Sequence, residues 1–309
     1  MTIIDSHVHL PSPSSSDFTT ASSSVPLTGY ILIESNLPTA DTDWTPALSE
    51  LKSMASLLTS SSSEPKPLAL VPWAPLPLGP AKLEEYLAQA ESEAGPEAWS
   101  KVRGFRYLLR DKPKGTGLEE GFVEGLKVLG RKRYVFEIGV DAQSKKGGRA
   151  RLEEVVEMVG RVNEAVGEEG ERARFVLEHL CKPDLSIINQ ADPSFLAWRS
   201  AMFTLGKSSN TYLKLSGCFS ELPDKLKAES AEDIFSAMLP WLAVVVAAFG
   251  PRRLMFGSDW PACTLGVGDD AWSKWRRVVE LVCNLAGLSE EDKAMVWGGT
   301  AKEVYKLDG

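Results

Sequence analysis

The stretch Ile3-Ile4-Asp5-Ser6-His7-Val8-His9 decides how the rest of the chain is read. An apolar run feeds into a His-x-His pair. On a β-strand side chains alternate faces, so His7 and His9 project to one side of the strand end. Only one further histidine exists, His179, and it follows the apolar run Phe175-Val176-Leu177-Glu178. A third run, Arg253-Leu254-Met255-Phe256-Gly257-Ser258, delivers Asp259 in the same manner. Imidazole and carboxylate are ligand types that a divalent transition metal prefers.

Working outward, short apolar runs recur as expected strands at Tyr30–Glu34, Leu68–Trp73, Val102–Tyr107, Tyr134–Ile138, Arg174–Glu178, Thr211–Leu215 and Leu254–Gly257. Helical periodicity lies between most successive pairs: Pro46–Leu58, Ala81–Ala94, Leu118–Leu129, Arg149–Val166, Pro193–Leu205 and Glu232–Phe249. Two closing helices are expected at Ala271–Ala286 and Glu290–Tyr305, the second started by Ser289 with Asp292 three residues on. The Ser- and Pro-rich segment Pro11–Ser24 reads as a loop, either a flap over the strand end or a surface loop with no such role. Alternating strands and helices imply a parallel sheet. Eight such units without a composition break imply one (β/α)8 TIM barrel over residues 1–309, a single domain. In that fold the C-terminal strand ends carry the active site, which would bring His7, His9, His179 and Asp259 to one rim.

Composition narrows the partners. The 309 residues are 43% hydrophobic with a formal net charge of −8, which argues against a nucleic-acid groove or an anionic membrane and for a small-molecule substrate. Cys181, Cys218, Cys263 and Cys283 are far apart and read as reduced thiols of a cytoplasmic protein. The most apolar segment, Ala237–Phe249, is interrupted by Pro240 and reads as too short for a bilayer span. A homodimer is an open option.

The stretches IIDSHVHL (3–10), YILIESN (30–36), VRGFRYLL (102–109), FVLEHLCKPDL (175–185), YLKLSG (212–217), RLMFGSDWP (253–261) and GGTAKEVYKL (298–307) resemble the amidohydrolase superfamily. The likeness is to its amidohydrolase 2 group of metal-dependent TIM-barrel hydrolases, which includes sugar-acid lactonases. The resemblance implies His7, His9, His179 and Asp259 as metal residues, with Asp259 also the proton acceptor. It implies one divalent ion, zinc in the simplest case, that polarises a carbonyl or acidifies a water. Glu137 is a further candidate ligand. Some members of the group work without metal, so a metal-independent lactonase stays an alternative.

Arg103 and Arg106 are candidate holders of a substrate carboxylate or hydroxyls through the guanidinium fork, and they differ by an odd number of strand positions, so one at most faces inward. Trp73 and Trp260 are candidate apolar walls, and Lys182 and Lys214 candidate substrate or supporting groups. The expected reaction is opening of a sugar-acid lactone. Alternatives are a non-oxidative decarboxylase of an aromatic or unsaturated acid, a TatD-like phosphodiesterase, and a non-catalytic binding protein.

Overall fold

The computed structural model describes residues 2–9, 15–23, 25–35, 40–60, 65–110, 112–143, 147–164 and 172–307. Eight strands are present among them: β1 Ile3–Val8, β2 Leu27–Ile33, β3 Lys66–Val71, β4 Gly104–Leu108, β5 Val135–Gly139, β6 Arg174–Leu177, β7 Thr211–Leu215 and β8 Leu254–Phe256. The helices are α1 Ser15–Ser22, α2 Thr45–Ser60, α3 Gly79–Trp99, α4 Glu120–Arg131, α5 Gly148–Glu164, α6 Pro193–Leu205, α7 Asp224–Lys227, α8 Ala231–Phe249, α9 Ala271–Leu285, α10 Glu290–Ala294 and α11 Thr300–Val304.

The strands pair in parallel as two sheets, β1-β2-β3 and β4-β5-β6-β7-β8. The sheets also meet each other at both ends. Parallel bridges join Leu70 to Val102, Trp73 to Arg106 and Val8 to Trp260. Across the first seam Arg106 N donates to Pro72 O at 2.9 Å, and across the second His9 N donates to Trp260 O at 2.8 Å. Strands β1, β4, β5 and β8 are buried throughout, the charged positions Asp5, Arg106 and Glu137 included.

Two apolar cores follow from the period-two alternation. The larger packs one strand face against the helices. The smaller gathers Ile4, Ile31, Ile33, Val71, Val135, Val176 and Met255 from strands of both sheets, with Val304 and Tyr305 of the C-terminal segment. Polar side chains of the same facing positions lie beyond it: Val135 and Glu137 share a face of β5, as Tyr212 and Lys214 share one of β7.

Some expectations are corrected. Within Pro11–Ser24, residues 15–22 form α1; its Phe18 is buried against Tyr30 and Trp260, with ring centroids 5.2 and 5.9 Å away. The remainder, residues 11–14 and 24, lies outside the described residues. The helix through Ala237–Phe249 is not interrupted at Pro240: α8 runs 19 residues through it. By length and composition alone α8 could cross a bilayer, but Ile234, Met238, Trp241 and Val245 pack into the larger core. α3 bends at Gly95, whose φ of 75° ends one helix before Pro96 starts the next. The expected last helix is in three parts, α10, a π-helical turn at Met295–Gly299, and α11. The wide turn lets Gly298 approach β1 so closely that a Cβ would sit 3.0 Å from Thr2 O. Ser289 caps α10 by accepting from Asp292 N at 3.1 Å. All four cysteines are buried free thiols.

Candidate active site

The histidine pair leaves β1 at its C-terminal end. The His7 ring stands edge-on to those of His9 and His179, with centroids 4.7 and 4.5 Å away. Asp259 Oδ1 lies 3.6 Å from Nε2 of His7, 3.6 Å from Nε2 of His9 and 3.7 Å from Nε2 of His179. Three imidazole nitrogens and one carboxylate oxygen therefore surround one small volume, contributed by β1, the turn after β6 and the loop after β8.

The backbone is forced to achieve this. His179, Leu180, Cys181 and Lys182 have φ of 52°, 55°, 58° and 46°, and Asp259 has φ of 64°. Left-handed conformation costs L-residues roughly 1–2 kcal/mol each. Such strain persists only where the surroundings over-determine it, and it clusters at functional sites. Here Trp198 Nε1 donates to Leu180 O at 2.8 Å, and Asp259 N donates to His7 O at 3.0 Å.

Hydrogen bonding sets the imidazole tautomers. His9 Nδ1 is 3.1 Å from Ile33 O, an acceptor only, so Nδ1 carries the proton and Nε2 presents its lone pair. His179 Nδ1 meets Ser216 Oγ at 2.9 Å; the hydroxyl can accept from Nδ1–H, the tautomer in which Nε2 is bare as well. His7 differs. Lys214 Nζ lies 3.1 Å from its Nδ1, and its Nε2 is 3.0 Å from His9 Nε2. A donating lysine puts the His7 proton on Nε2, shared with His9.

Burial pushes His7 well below its ordinary pKa, with the Lys214 charge adding, and pushes His179 down to about 4. Both are neutral at pH 7, the form that ligates metal. Burial works against ionised Asp259, but the His179 and His9 imidazoles and Lys182 outweigh it and lower its pKa.

A second polar layer lies behind the first. Arg106 is buried and donates from Nη1 to Glu34 Oε1 at 2.9 Å and from Nη2 to Glu178 Oε2 at 2.9 Å, with Nε 2.8 Å from Glu178 Oε1. Its fork is filled by the chain's own carboxylates, so as a substrate clamp it is corrected to a structural cation. Burial would raise the Glu178 pKa, yet Arg106 holds it well below the carboxylate range. Lys214 donates to Glu137 Oε2 at 2.6 Å and Tyr305 OH to Glu137 Oε1 at 2.6 Å. His7, Glu137 and Glu178 also present ligand atoms within 4.8 Å of one another, but the Lys214 ammonium already serves as their cation. Glu137 is thus a partner of Lys214, on the Nδ1 side of His7 and away from Asp259.

Other candidates fall elsewhere. Arg103 precedes β4, at the opposite strand end from His7, because its N–H and C=O pair with Leu70 and Val135. Trp73 and Trp260 are 7% and 3% exposed and belong to the larger core; Trp73 packs edge-on against Tyr86. Lys182 does sit at the rim, donating to Ser220 Oγ at 3.1 Å and Glu221 Oε1 at 2.9 Å.

Residues that sequence reasoning passed over hold the site. Asp5 is buried; its Oδ1 accepts from Ser258 N at 2.8 Å and its Oδ2 from Trp272 Nε1 at 2.9 Å, which tethers the Asp259 loop to β1. Glu34, Glu178 and Ser216 complete the set. Asp5, Glu34 and Glu178 each interrupt or end an apolar run, and a charge in a fully buried strand was the available signal.

The comparisons agree on kinship. A family model described as Amidohydrolase matches residues 164–307. An L-rhamnono-gamma-lactonase of Scheffersomyces stipitis is 32% identical over 246 residues, covering 77% of this chain and 69% of that protein. An L-fucono-1,5-lactonase of Burkholderia multivorans is 30% identical over 211 residues, covering 67% and 64%. The crystal structure of an amidohydrolase from Burkholderia multivorans superposes with a TM-score of 0.75 at 25% identity over the whole of both chains. The chain belongs to the amidohydrolase family. Within it, the curated relatives it resembles are sugar-acid lactonases.

Proposed function

We propose that the protein hydrolyses the lactone ring of a sugar acid at the His7, His9, His179 and Asp259 cluster, held in one (β/α)8 barrel domain over residues 1–309. Hydrogen bonds across both seams between the sheets and the shared inner core support closure of the barrel. The observation that carries the functional reading is the approach of three imidazole Nε2 atoms to within 3.6–3.7 Å of Asp259 Oδ1.

The donor set fits a divalent ion of the zinc type: nitrogen and oxygen ligands, with His7, His179 and Asp259 buried and His7 and His179 neutral. His9 and His179 present their Nε2 lone pairs with the proton on Nδ1, and His7 would do so in its other neutral tautomer, with its proton moved from Nε2 to Nδ1. These residues with Asp259 would hold the ion, which would supply Lewis acidity toward a carbonyl. Asp259 takes a proton from the attacking water as its oxygen bonds to the lactone carbonyl carbon. The same carboxyl returns that proton to the ring oxygen as the carbon–oxygen ester bond breaks. One water is consumed, and the product is an open hydroxy acid. Lys182, at the rim and paired with Glu221, is a candidate to meet substrate oxygens. The decarboxylase alternative, which needs Arg103 or Arg106 to hold a carboxylate, loses support because Arg106 is engaged by Glu34 and Glu178 and Arg103 lies at the opposite strand end from His7.

The test offers L-rhamnono-gamma-lactone and L-fucono-1,5-lactone to purified protein and follows acid release. Asp259→Asn should lower the rate by roughly 10²–10⁴-fold with an unchanged circular dichroism spectrum. Full activity in that variant, or no opening of any sugar lactone in a panel, refutes the reading. Activity that survives exhaustive chelation selects the metal-independent form of it.

A further inference from the structure

A second site lies at the other ends of the strands. A cavity of about 440 Å³ is lined by Arg133, Arg172, Arg174 and Lys306, with Tyr134, Ser209, Asn210 and Tyr212 between them. Among the described residues, none that lines it is acidic. Arg174 begins β6, whereas His179 follows that strand's far end, so five residues at about 3.3 Å each put Arg174 up to about 16 Å from His179 along the strand. We propose that this cavity binds a phosphate-bearing small molecule, at a site separate from the lactone-opening centre.

Four cations converge here in a chain whose net charge is −8. Convergence of like charges costs stability unless an anion compensates it. The crowding registers on Lys306, whose pKa is lowered first by burial and then by Arg174, Arg133 and Arg103. Arg172 Nε is buried with no acceptor among the described residues. Such a donor is costly to leave unmet. Arg174 Nη1 donates to Val304 O at 3.1 Å, which fixes one guanidinium at the wall. Guanidinium forks with hydroxyl and phenol donors between them suit a tetrahedral oxyanion with several acceptors. Carboxylates of a lone sugar acid offer fewer charges than the four cations present.

The chain carries competing anions of its own. Glu168, Glu169 and Glu171 immediately precede Arg172 in sequence, and Asp308 follows Lys306 closely. The experiment therefore has three arms, each read by calorimetric titration and thermal melting of the full chain at low salt. Inorganic pyrophosphate should bind and raise the melting temperature, more than inorganic phosphate and more than citrate. The double variant Arg133→Gln/Lys306→Gln, both residues being exposed, should weaken pyrophosphate binding by at least about 10-fold, the loss of charge-assisted hydrogen bonds. It should leave lactone turnover unchanged and raise, not lower, the ligand-free melt, because two of the four crowded cations are gone. The third arm removes the acidic run with Glu168→Gln/Glu169→Gln/Glu171→Gln. No binding, equal binding by the double variant, tighter binding of citrate, or binding only after the acidic run is removed would each overturn the proposal.

Discussion

His179 reaches Asp259 because the chain turns left-handed for four residues after β6, and the ring it presents is packed from below by Gly217. That glycine has φ of 62°, and a Cβ there would collide with the His179 imidazole. Gly217→Ala therefore carries two penalties. The backbone is strained by about 1 kcal/mol, since alanine tolerates this region poorly. The ring must also swing away from Ser216 and from the volume it shares with His7, His9 and Asp259. The expected outcome is a fall in kcat of at least about 10-fold, because misplacing a catalytic group by about 1 Å costs up to 10²-fold. Steady-state kinetics alongside a thermal melt checks this; an unchanged kcat would mean that His179 does not depend on this packing.

At the level of elements, α2 supports the exit of β2 through one buried carboxylate. Glu50 is 8% exposed and its Oε1 accepts from Ser35 N at 2.6 Å, just beyond Glu34. Burial raises its pKa, the Ser35 N–H opposes this, and the Glu34 charge adds to the rise. A folded-state pKa above the unfolded one means that the native protein binds the proton more tightly. The stability so gained is full below the unfolded value and is lost as pH rises through the folded one. Glu50→Gln keeps an acceptor for Ser35 and carries no charge. Its melting temperature relative to the parent should rise as the pH climbs above the ordinary carboxylate range, since the neutral amide is spared the burial penalty. A difference that stays flat with pH would remove burial of this charge as a cost to the fold.

For the whole molecule, the ties that matter run between distant strands. Arg106 on β4 joins Glu34 after β2 to Glu178 after β6, and Lys214 on β7 joins Glu137 on β5 to His7 on β1. Both sets are buried, so removing one partner strands charge in the interior. Arg106→Met should destabilise the protein by about 3–5 kcal/mol, the usual penalty for breaking a buried pair from one side. Urea titration measures it. A loss under about 1 kcal/mol, the range of an exposed pair, would mean that water reaches and screens the cluster.

The order of strands and helices was legible in the sequence because burial on both faces leaves continuous apolar runs, and helices between them leave a 3.6-residue stripe. The chemistry at the strand ends was legible for a related reason: His7, His9, His179 and Asp259 each follow such a run. Local pattern could not say which cations are spent inside the protein. Arg106 and Lys214 look like substrate ligands in sequence, but partners as distant as Glu34 and His7 consume them. Nor could it announce α1, whose helix is held by Phe18 on Tyr30 and Trp260 more than by propensity. Sequence determined what is buried and in what order, since that is written residue by residue. Tertiary structure alone decided which buried charges face one another, because pairing depends on contacts between strands far apart in the chain.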